Sequence, residues 1–413
     1  MREKKIIILP NDIKSPFFIN EIPYIKKNFS QIKIIGFGKQ IDKDIINKYD
    51  LDETFVSLSD LRPRHIIFLL EWLRQAHVKK EIQENVSFTK LGIKKLGYII
   101  YYGIFRVLTF PFIEGEIKEA KEGSDIYLYS YWLSRPAYCI CGFKEKYKNY
   151  NIKCFSRAHG YDLYESRNSM NYLPFKKFIS QQLDYIYFIS KDGYNYFKEK
   201  HGRLDDNKLK ISYLGTYNEY DYIKKTVKKN EIVIASCSSI IPIKRLDLII
   251  ETISYLQGKG LPITWLHIGT GELIEIIQQE AKQKLKEQSF LFLGQIDNDD
   301  ILQTYMRYDV DYFINLSDSE GIPVSIMEAI SVGIPAIARN VGGNSEIVDS
   351  QSGYLINHNE ITRDFSDIYS FIQERIYNLE LYKRKSLMSV KRWRNFFSAN
   401  QNYTQFFKNV TGE

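Results

Sequence analysis

One stretch decides how the second half of the chain folds: YFINLSDSEGIPVSIMEA, residues 312–329. Its first five residues, 312–316, form an apolar run typical of a buried strand, and a short polar loop leads from it into an apolar helical pattern. Pro323 presets the backbone for a first helical turn. The stretch therefore predicts a strand, a loop and a helix in direct succession, which is the repeating unit of a parallel α/β sheet.

The same stretch carries the strongest chemical signal in the chain. The helix start around Gly321, Ile322 and Pro323 offers free backbone N–H groups and the positive end of the helix dipole, so a diphosphate is expected there. Glu320 precedes the helix and Glu328 lies inside it, on the order of 10 Å away at about 1.5 Å per residue. That spacing suits two sets of sugar hydroxyls on either side of a pyrophosphate and is too long for two carboxylates acting on one carbon.

Further short apolar runs flank this unit on both sides and alternate with helical patterns, which predicts two Rossmann-like parallel sheets. The first sheet is predicted from runs near 4–10, 31–37, 125–131, 152–158, 185–190 and 210–214, and the second from runs near 231–237, 263–268, 290–294, 311–316, 335–339 and 353–356. A lysine-rich linker at 216–230 then separates a domain at 1–215 from a domain at 231–385, with a cleft expected at the carboxyl ends of their strands. An amphipathic helix at 386–413 is expected to return to the first domain.

Composition narrows the class of protein. The chain has 413 residues, 44% of them hydrophobic, and a net charge of +7, which suits anionic partners and excludes a disordered chain. Because the basic residues are dispersed, nucleic acid is not expected as a partner. The four cysteines show no disulfide or zinc spacing, and the apolar run after Met1 is too short for a signal peptide, so a cytoplasmic location is expected.

A second signal stands at the start of another helical pattern. Lys244 and Arg245 follow a predicted strand directly, and two cations there could neutralise a leaving diphosphate without a metal ion. Such a pair more often lies on the solvent-exposed face of a helix, so it indicates a diphosphate site only together with the Glu320 segment.

These residues resemble a known family. Glu320 and Glu328 with Gly321 and Pro323 between them resemble the E-x7-E signature of retaining glycosyltransferases of family 4, which have the GT-B fold. The resemblance continues through 333–338, 341–348 and 353–355. It implies transfer of a sugar from a nucleotide diphosphate, with UDP favoured, to a glycan or lipid-linked glycan acceptor in surface polysaccharide synthesis, with the first domain on the acceptor side.

The resemblance also implies residue roles. Glu320 would hold the transferred sugar, Glu328 the ribose, Gly321, Ile322 and Pro323 the phosphates, and Lys244 and Arg245 the diphosphate charge. Three further contacts with donor or acceptor are implied: His159 near the transferred sugar, Gly269 and Gly271 beside the nucleotide, and Gln295 and Ile296 near the base. The chain departs from the family at Ser238 and Ser239, where relatives carry Gly-Arg, and at 10–15, where relatives carry a glycine-rich loop.

No cofactor and no metal ion are expected. Asp-x-Asp pairs, which hold a metal diphosphate in the other large transferase fold, occur at several places in the chain and are therefore uninformative. Three alternatives stay open: a glycoside hydrolase, which the distance between the two glutamates disfavours, a non-catalytic nucleotide-sugar or glycan binding module, and a GT-B isomerase that acts on the donor.

One apolar stretch, 96–113, is rich in tyrosine and follows three lysines, Lys90, Lys94 and Lys95. Arg106, two glycines and Pro111 make a membrane-spanning helix improbable. Two interpretations remain: a helix buried in the first domain, or peripheral contact of 90–113 with the inner leaflet of a membrane.

Overall fold

The computed structural model describes residues 3–10, 15–37, 43–202, 205–220, 231–356 and 364–412. They form two compact units, one of Met1–Ser212 with Tyr403–Glu413 and the other of Tyr213–Asn402. Most of the predicted linker, from residue 221 to 230, lies outside the described residues, and so do residues 11–14 of the loop after the first strand.

The first unit contains a parallel sheet of seven strands: β1 Lys4–Leu9, β2 Gln31–Phe37, β3 Asp52–Val56, β4 Asp125–Ser130, β5 Asn151–Ala158, β6 Tyr185–Phe188 and β7 Leu209–Ile211. The strand order is β3-β2-β1-β4-β5-β6-β7, the order of a doubly wound sheet. The sequence did not predict β3, because this edge strand begins with three polar residues, Asp52, Glu53 and Thr54, instead of forming an apolar run.

In the described part of the first unit, these strands are connected by nine α-helices: α1 Pro16–Asn28, α2 Lys43–Tyr49, α3 Pro63–Leu73, α4 Ala76–Asn85, α5 Lys90–Glu119, α6 Arg135–Ile140, α7 Phe143–Lys146, α8 Lys176–Gln182 and α9 Lys191–His201. The connection between β3 and β4 is much the longest, because it contains α3, α4 and α5. These three helices contact one another, and α5 also contacts β2, β3 and α6.

Helix α5 contains the apolar stretch 96–113. Among the described residues it is the helix long and apolar enough, by length and composition, to cross a membrane. One face of it nevertheless lies in the core of the first unit, where Ile99, Tyr102 and Ile113 are fully buried. A Cβ atom on Gly103 would lie 2.5 Å from the ring of Trp72 in α3, so the two helices pack closely. The geometry therefore agrees with the buried-helix interpretation for 96–113.

The second unit repeats the architecture with six parallel strands: β8 Ile232–Cys237, β9 Ile263–Ile268, β10 Phe290–Gly294, β11 Tyr312–Asn315, β12 Ala336–Arg339 and β13 Gly353–Ile356. Their order is β10-β9-β8-β11-β12-β13. Its helices are α10 Leu246–Gly258, α11 Ile274–Lys284, α12 Ile301–Arg307, α13 Val324–Ser331, α14 Asn344–Ile347, α15 Ser366–Tyr377 and α16 Leu379–Phe396. The predicted α/β class with two Rossmann-like sheets is confirmed.

The carboxyl-terminal segment consists of α16 and α17 Ala399–Thr411, where the sequence placed a single returning helix at 386–413. Helix α16 packs against α13 in the second unit. Residues Tyr403–Glu413 belong to the first unit, where Tyr403, Phe406 and Phe407 are buried. There the ring of Phe406 lies 3.8 Å below the guanidinium of Arg157, which is itself fully buried beside Glu21.

Candidate functional site

The centre of the second sheet brings Lys244 and Glu320 together. The strand order changes direction between β8 and β11, so the loops that follow these two strands begin side by side, the position at which doubly wound sheets bind ligands. Lys244 ends a short turn after β8, and Glu320 lies in the loop after β11. The Lys244 Nζ atom lies 2.7 Å from Glu320 Oε1, and the Asn315 side-chain amide donates to the same oxygen over 3.2 Å.

Backbone contacts fix both loops. The Asp318 amide donates to the Ile243 carbonyl over 2.8 Å, which links the loop of Glu320 to the turn of Lys244. On the other side, the Gly343 amide donates to the Gly321 carbonyl, also over 2.8 Å. At Gly342, where φ is +51°, a Cβ atom would lie 1.9 Å from the Glu320 carbonyl oxygen. Only glycine lets the 342–343 turn approach the Glu320 loop this closely.

Helix α13 begins at Val324, so the prediction that Pro323 lies within the first helical turn is wrong. Pro323 is the residue before the helix, and its ψ of 117° is extended because the chain is still turning out of the loop. No side chain caps this end, so the first backbone N–H groups stay available to a ligand. The side chains of Ile322 and Pro323 are buried, so these residues can contact a ligand only through their backbone.

Glu328 lies in α13 with its side chain half-buried. Burial raises the pKa of its carboxyl group from 4.5 to about 8, and no ion pair involving Glu328 occurs among the described residues. Burial is the main cause that raises the pKa values of the nearby Cys237 thiol and Tyr305 hydroxyl, and the Glu328 charge adds to it. At neutral pH the protonated carboxyl can both donate and accept a hydrogen bond, which suits a pair of sugar hydroxyls.

Arg245 differs from its neighbour Lys244 because its charge already has two partners. Its guanidinium lies 2.9 Å from Asp247 and 3.1 Å from Asp318, and Arg339 contacts Asp318 as well. The two carboxylates raise the pKa of Arg245 above its ordinary value, with the hydrogen bond to Asp247 as the largest cause. To reach a phosphate, Arg245 would have to leave both carboxylates, and its role at the diphosphate stays a prediction.

Gly269 and Gly271 lie against the loop that leads from β8 to Lys244. A Cβ atom on Gly269 would lie 2.0 Å from the Ser238 carbonyl oxygen, and one on Gly271 would lie 2.4 Å from that of Ile240. Packing alone therefore requires both glycines, whatever they contact in a ligand. Gln295 is exposed and Ile296 half-buried just after β10, and the Gln295 side chain has no hydrogen bond to another described residue.

His159 follows β5 in the first unit. Its ring centroid lies 4.9 Å from that of Tyr131 and 4.3 Å from that of Trp132, and its own backbone amide donates to Asp162 over 2.8 Å. Burial lowers the pKa of the imidazole, so His159 is neutral near pH 7. The buried ammonium of Lys176 holds the backbone carbonyl of Asp162.

Several of these neighbours were not predicted. Asn315 orients Glu320, Asp247 and Asp318 neutralise Arg245, and Lys176 supports the His159 loop. The only sequence signal was the position of Asn315 and Asp318 after an apolar run, since the polar ends of parallel strands gather at one edge of a sheet. Among the described residues, no group of three His, Cys, Asp or Glu side chains is placed to hold a metal ion.

Comparison with known proteins agrees with this geometry. Residues 219–385 match the family model of the glycosyl transferases group 1. The O-antigen biosynthesis glycosyltransferase WbnH of Escherichia coli is 24% identical over 263 residues, which are 63% of this chain and 70% of the relative. The UDP-Gal:alpha-D-GlcNAc-diphosphoundecaprenol alpha-1,3-galactosyltransferase of Escherichia coli is 26% identical over 158 residues, 37% of this chain and 40% of the relative.

A solved structure shares the architecture of the whole chain. Anabaena Alr3699/HepE in complex with UDP superposes with a TM-score of 0.68 over 99% of this chain and 100% of that one, at 14% identity. The chain therefore has the predicted GT-B fold, and residues 219–385 in its second half are similar to the glycosyl transferases group 1.

Proposed function

We propose that this protein is a retaining glycosyltransferase of family 4 type. It takes a sugar from a nucleotide diphosphate donor and transfers it to a glycan or lipid-linked glycan in the cytoplasm, in the synthesis of a surface polysaccharide.

One observation carries the proposal: the contact between Lys244 and Glu320 at the point where the second sheet changes direction. Without a donor, each of these two groups satisfies the charge of the other. A bound donor would offer a better partner to each group: its diphosphate would bind the Lys244 ammonium, and the hydroxyls of its sugar would donate hydrogen bonds to the Glu320 carboxylate. The start of α13 then supplies backbone N–H groups to the same diphosphate, and Gly321, Ile322 and Pro323 contribute through their backbone.

Glu328 is assigned to the ribose. Its carboxyl is half-buried without an ion pair among the described residues, so hydrogen bonds from two vicinal hydroxyls would offset the cost of its partial burial. Glu328 and Glu320 are eight residues apart along one loop and helix, and a pyrophosphate between their two sugars spans such a distance.

The donor is a UDP sugar in this proposal. The solved structure with the same architecture was obtained with UDP, and one relative is named for UDP-Gal. Gly269, Gly271, Gln295 and Ile296 would lie along the nucleotide. The acceptor is proposed as lipid-linked because that relative is named for a diphosphoundecaprenol acceptor.

Positive charge beside the departing diphosphate would lower the activation barrier of the transfer. The acceptor hydroxyl attacks the anomeric carbon from the face of the leaving group, the bond from that carbon to the diphosphate oxygen breaks, and this oxygen takes the hydroxyl proton. Configuration is retained, and no side-chain nucleophile is needed. Lys244 stabilises the developing charge without a metal ion, Arg245 adds to it if released by its carboxylates, and His159 is assigned to the sugar or acceptor.

The test is turnover with a panel of UDP, GDP and ADP sugars in the presence of undecaprenyl-diphosphate-linked acceptors and a metal chelator. Nucleotide release together with a lengthened lipid-linked glycan is expected, and NMR of the product should show the anomeric configuration of the donor. A changed sugar still attached to its nucleotide would mean an isomerase, and donor binding without turnover would mean a binding module.

A matched pair of variants separates the site from the fold. Glu320→Gln should lose the transfer activity, whereas Glu280→Gln, which affects an exposed ion pair in α11, should keep it. Equal activity in both variants would remove Glu320 from the site.

A further inference from the structure

The first unit carries an unusual concentration of exposed apolar side chains. Of the 20 large hydrophobic residues that are exposed in the described part of the chain, nine lie between residues 58 and 93. They are Leu58, Leu61, Ile66, Ile67, Phe68, Leu70, Phe88, Leu91 and Ile93. We call the exposed side chains of residues 58–93 the α3–α5 surface. Single exposed apolar residues need no explanation, but a cluster of this kind marks a surface that is covered in use.

Helix α3 is apolar on two faces. Its inward face carries Trp72, which is 3% exposed and packs on Gly103 of α5. Its outward face carries Ile66, Ile67 and Leu70, which at about 100° per residue fall on one side of the helix. These three side chains are between 52% and 60% exposed, so none of the described elements covers them. The inward face explains the fold of α3, and the outward face is left without a structural role.

Phe88 continues this feature at the start of α5. It precedes the N-cap residue Thr89 and is fully exposed, and Leu91 and Ile93 in the first turn of α5 are 47% and 66% exposed. Since α3, α4 and α5 contact one another, both exposed groups belong to one layer of helices in the first unit. An aromatic side chain at full exposure beside aliphatic ones is typical of a segment that enters a lipid headgroup region.

The segment that contains this surface and the two lysines after it, Lys94 and Lys95, is basic. Residues 58–95 contain eight Lys and Arg side chains against four Asp and Glu, a net charge of +4 out of +7 for the whole chain. Arg62 and Arg64 lie at the start of α3, Arg74 follows its end, and Lys90 and Lys94 flank the exposed residues of α5. All five are exposed. Long cationic side chains around an apolar centre can extend to lipid phosphates while the centre enters the bilayer.

Charge decides between two possible occupants of this surface. A second copy of the chain would bring the same net +4 against itself, which like-charge repulsion disfavours. An anionic bilayer complements both the apolar centre and the basic rim.

We propose that the α3–α5 surface docks the first unit on an anionic lipid bilayer, with Ile66, Ile67, Leu70 and Phe88 entering the headgroup region. The membrane contact therefore lies on α3 and the first turn of α5. Residues 96–113, whose inward face is in the core, are not the docking segment. The docking depends on the first unit and not on the donor chemistry of the second, so either proposal can fail without the other.

The experiment is co-sedimentation of the full chain with two kinds of vesicle, pure phosphatidylcholine and phosphatidylcholine with about 30% phosphatidylglycerol. Strong binding to the anionic vesicles and weak binding to the neutral ones is expected. The combined variant Ile66→Asn, Ile67→Asn and Leu70→Asn keeps the charge and should lower the partition coefficient at least about tenfold. Arg62→Gln and Arg64→Gln should each lower it about fivefold, since one cation near such a surface contributes about 1 kcal/mol.

A control with the same number of exposed apolar side chains comes from the second unit. The combined variant Ile276→Asn, Tyr377→Asn and Leu387→Asn removes side chains that are 61%, 77% and 53% exposed and should bind the vesicles like the unchanged protein. Circular dichroism and the melting temperature of every variant confirm that the fold is kept.

The possible results distinguish membrane docking from its alternatives. Loss of anionic binding in the α3 variants alone supports the proposal. Equal binding to both vesicle types, equal loss in the control variant, or no binding by the unchanged protein overturns it. A dimer in sedimentation velocity that the α3 variants dissociate, with no vesicle binding, overturns it in favour of a second copy.

Discussion

Replacing Lys244 by methionine removes one charge from the candidate site and keeps most of the length of the side chain. In the unchanged protein the ammonium lies 2.7 Å from Glu320 Oε1, and the two side chains are 22% and 9% exposed. The variant leaves Glu320 with the Asn315 amide as its described hydrogen-bond partner. We expect a large loss of transfer activity with a moderate loss of stability.

The expected losses of stability and of activity can be calculated from the geometry. At 2.7 Å and an effective dielectric constant of about 20, the Coulomb attraction is about 6 kcal/mol. Desolvation of both groups offsets most of it, so removal of one partner from this partly exposed pair should lower the free energy of unfolding by about 1–3 kcal/mol. Removal of a fixed charge that stabilises the leaving group should lower kcat about 100- to 1000-fold.

The assay compares four proteins: the unchanged chain, Lys244→Met, Lys244→Arg and Lys284→Met. Lys284 forms an ion pair of the same 2.7 Å length with Glu280, but its side chain is 40% exposed and lies in α11. Its replacement should change the free energy of unfolding by at most about 0.5 kcal/mol and leave kcat unchanged. Lys244→Arg keeps the charge and should recover part of the activity. Single-turnover nucleotide release and urea denaturation give the two quantities.

One result would refute the reasoning. If Lys244→Met is folded and its kcat lies within about threefold of the value for Lys284→Met, no developing charge meets Lys244, and the diphosphate lies elsewhere.

Three further predictions concern pH, the glycine turn and the returning helix. Burial raises the pKa of Glu328 from 4.5 to about 8, so between these values the folded chain keeps a proton that the unfolded chain has lost. The free energy of unfolding should therefore fall by about 4 kcal/mol as pH rises from about 5 to about 9. Glu328→Gln should abolish this fall, measured by urea denaturation. Gly342→Ala should displace the Glu320 loop and raise the KM for the donor about tenfold or more, measured in initial rates, because its Cβ would lie 1.9 Å from the carbonyl oxygen of Glu320. Phe406→Ala should lower the free energy of unfolding by about 3–5 kcal/mol in urea denaturation, because the ring is 1% exposed and packs on Arg157.

Each of these has a control. An unchanged pH dependence in Glu328→Gln would mean that this carboxyl is solvated in the folded chain. Gly258→Ala, at a helix end with open space around it, should leave KM unchanged, and equal effects of the two glycine variants would contradict the close approach at Gly342. Phe396 is 48% exposed, so Phe396→Ala should cost less than about 1 kcal/mol, and an equal cost for Phe406→Ala would mean that α17 is not docked.

Local patterns in the sequence predicted much of the fold. All six strands of the second sheet lie where apolar runs predicted them. The central strands are apolar because they are buried on both faces, and the edge strands β10 and β13 are apolar runs although they are only partly buried. The edge strand β3 was missed because its residues do not form such a run. The turn into α13 was misjudged by one residue, because the backbone conformation at Pro323 depends on the loop before it.

The candidate site shows a similar division. The anion and hydroxyl chemistry was predicted from the residue types and from the spacing of Glu320 and Glu328, because eight residues of chain limit how far apart two side chains can lie. The sequence treated Lys244 and Arg245 as equivalent cations. In the folded chain Arg245 contacts Asp318, which is 73 residues away, whereas Lys244 contacts Glu320. Asp318 and Glu320 lie in a loop after another strand, so the sequence around Lys244 and Arg245 does not show which of these two carboxylates each cation contacts.

What the sequence by itself determined is the set of parallel-sheet units, since periodicity acts over a few residues; the chemistry of residues 317–328 stays a prediction from their types and spacing. Only the tertiary structure decided which cation meets Glu320, that α5 has an inward face in the core and that the outward face of α3 is exposed. Whether a side chain is covered or open depends on elements distant in sequence, and two apolar helices look alike until the packing of the chain selects which face meets water.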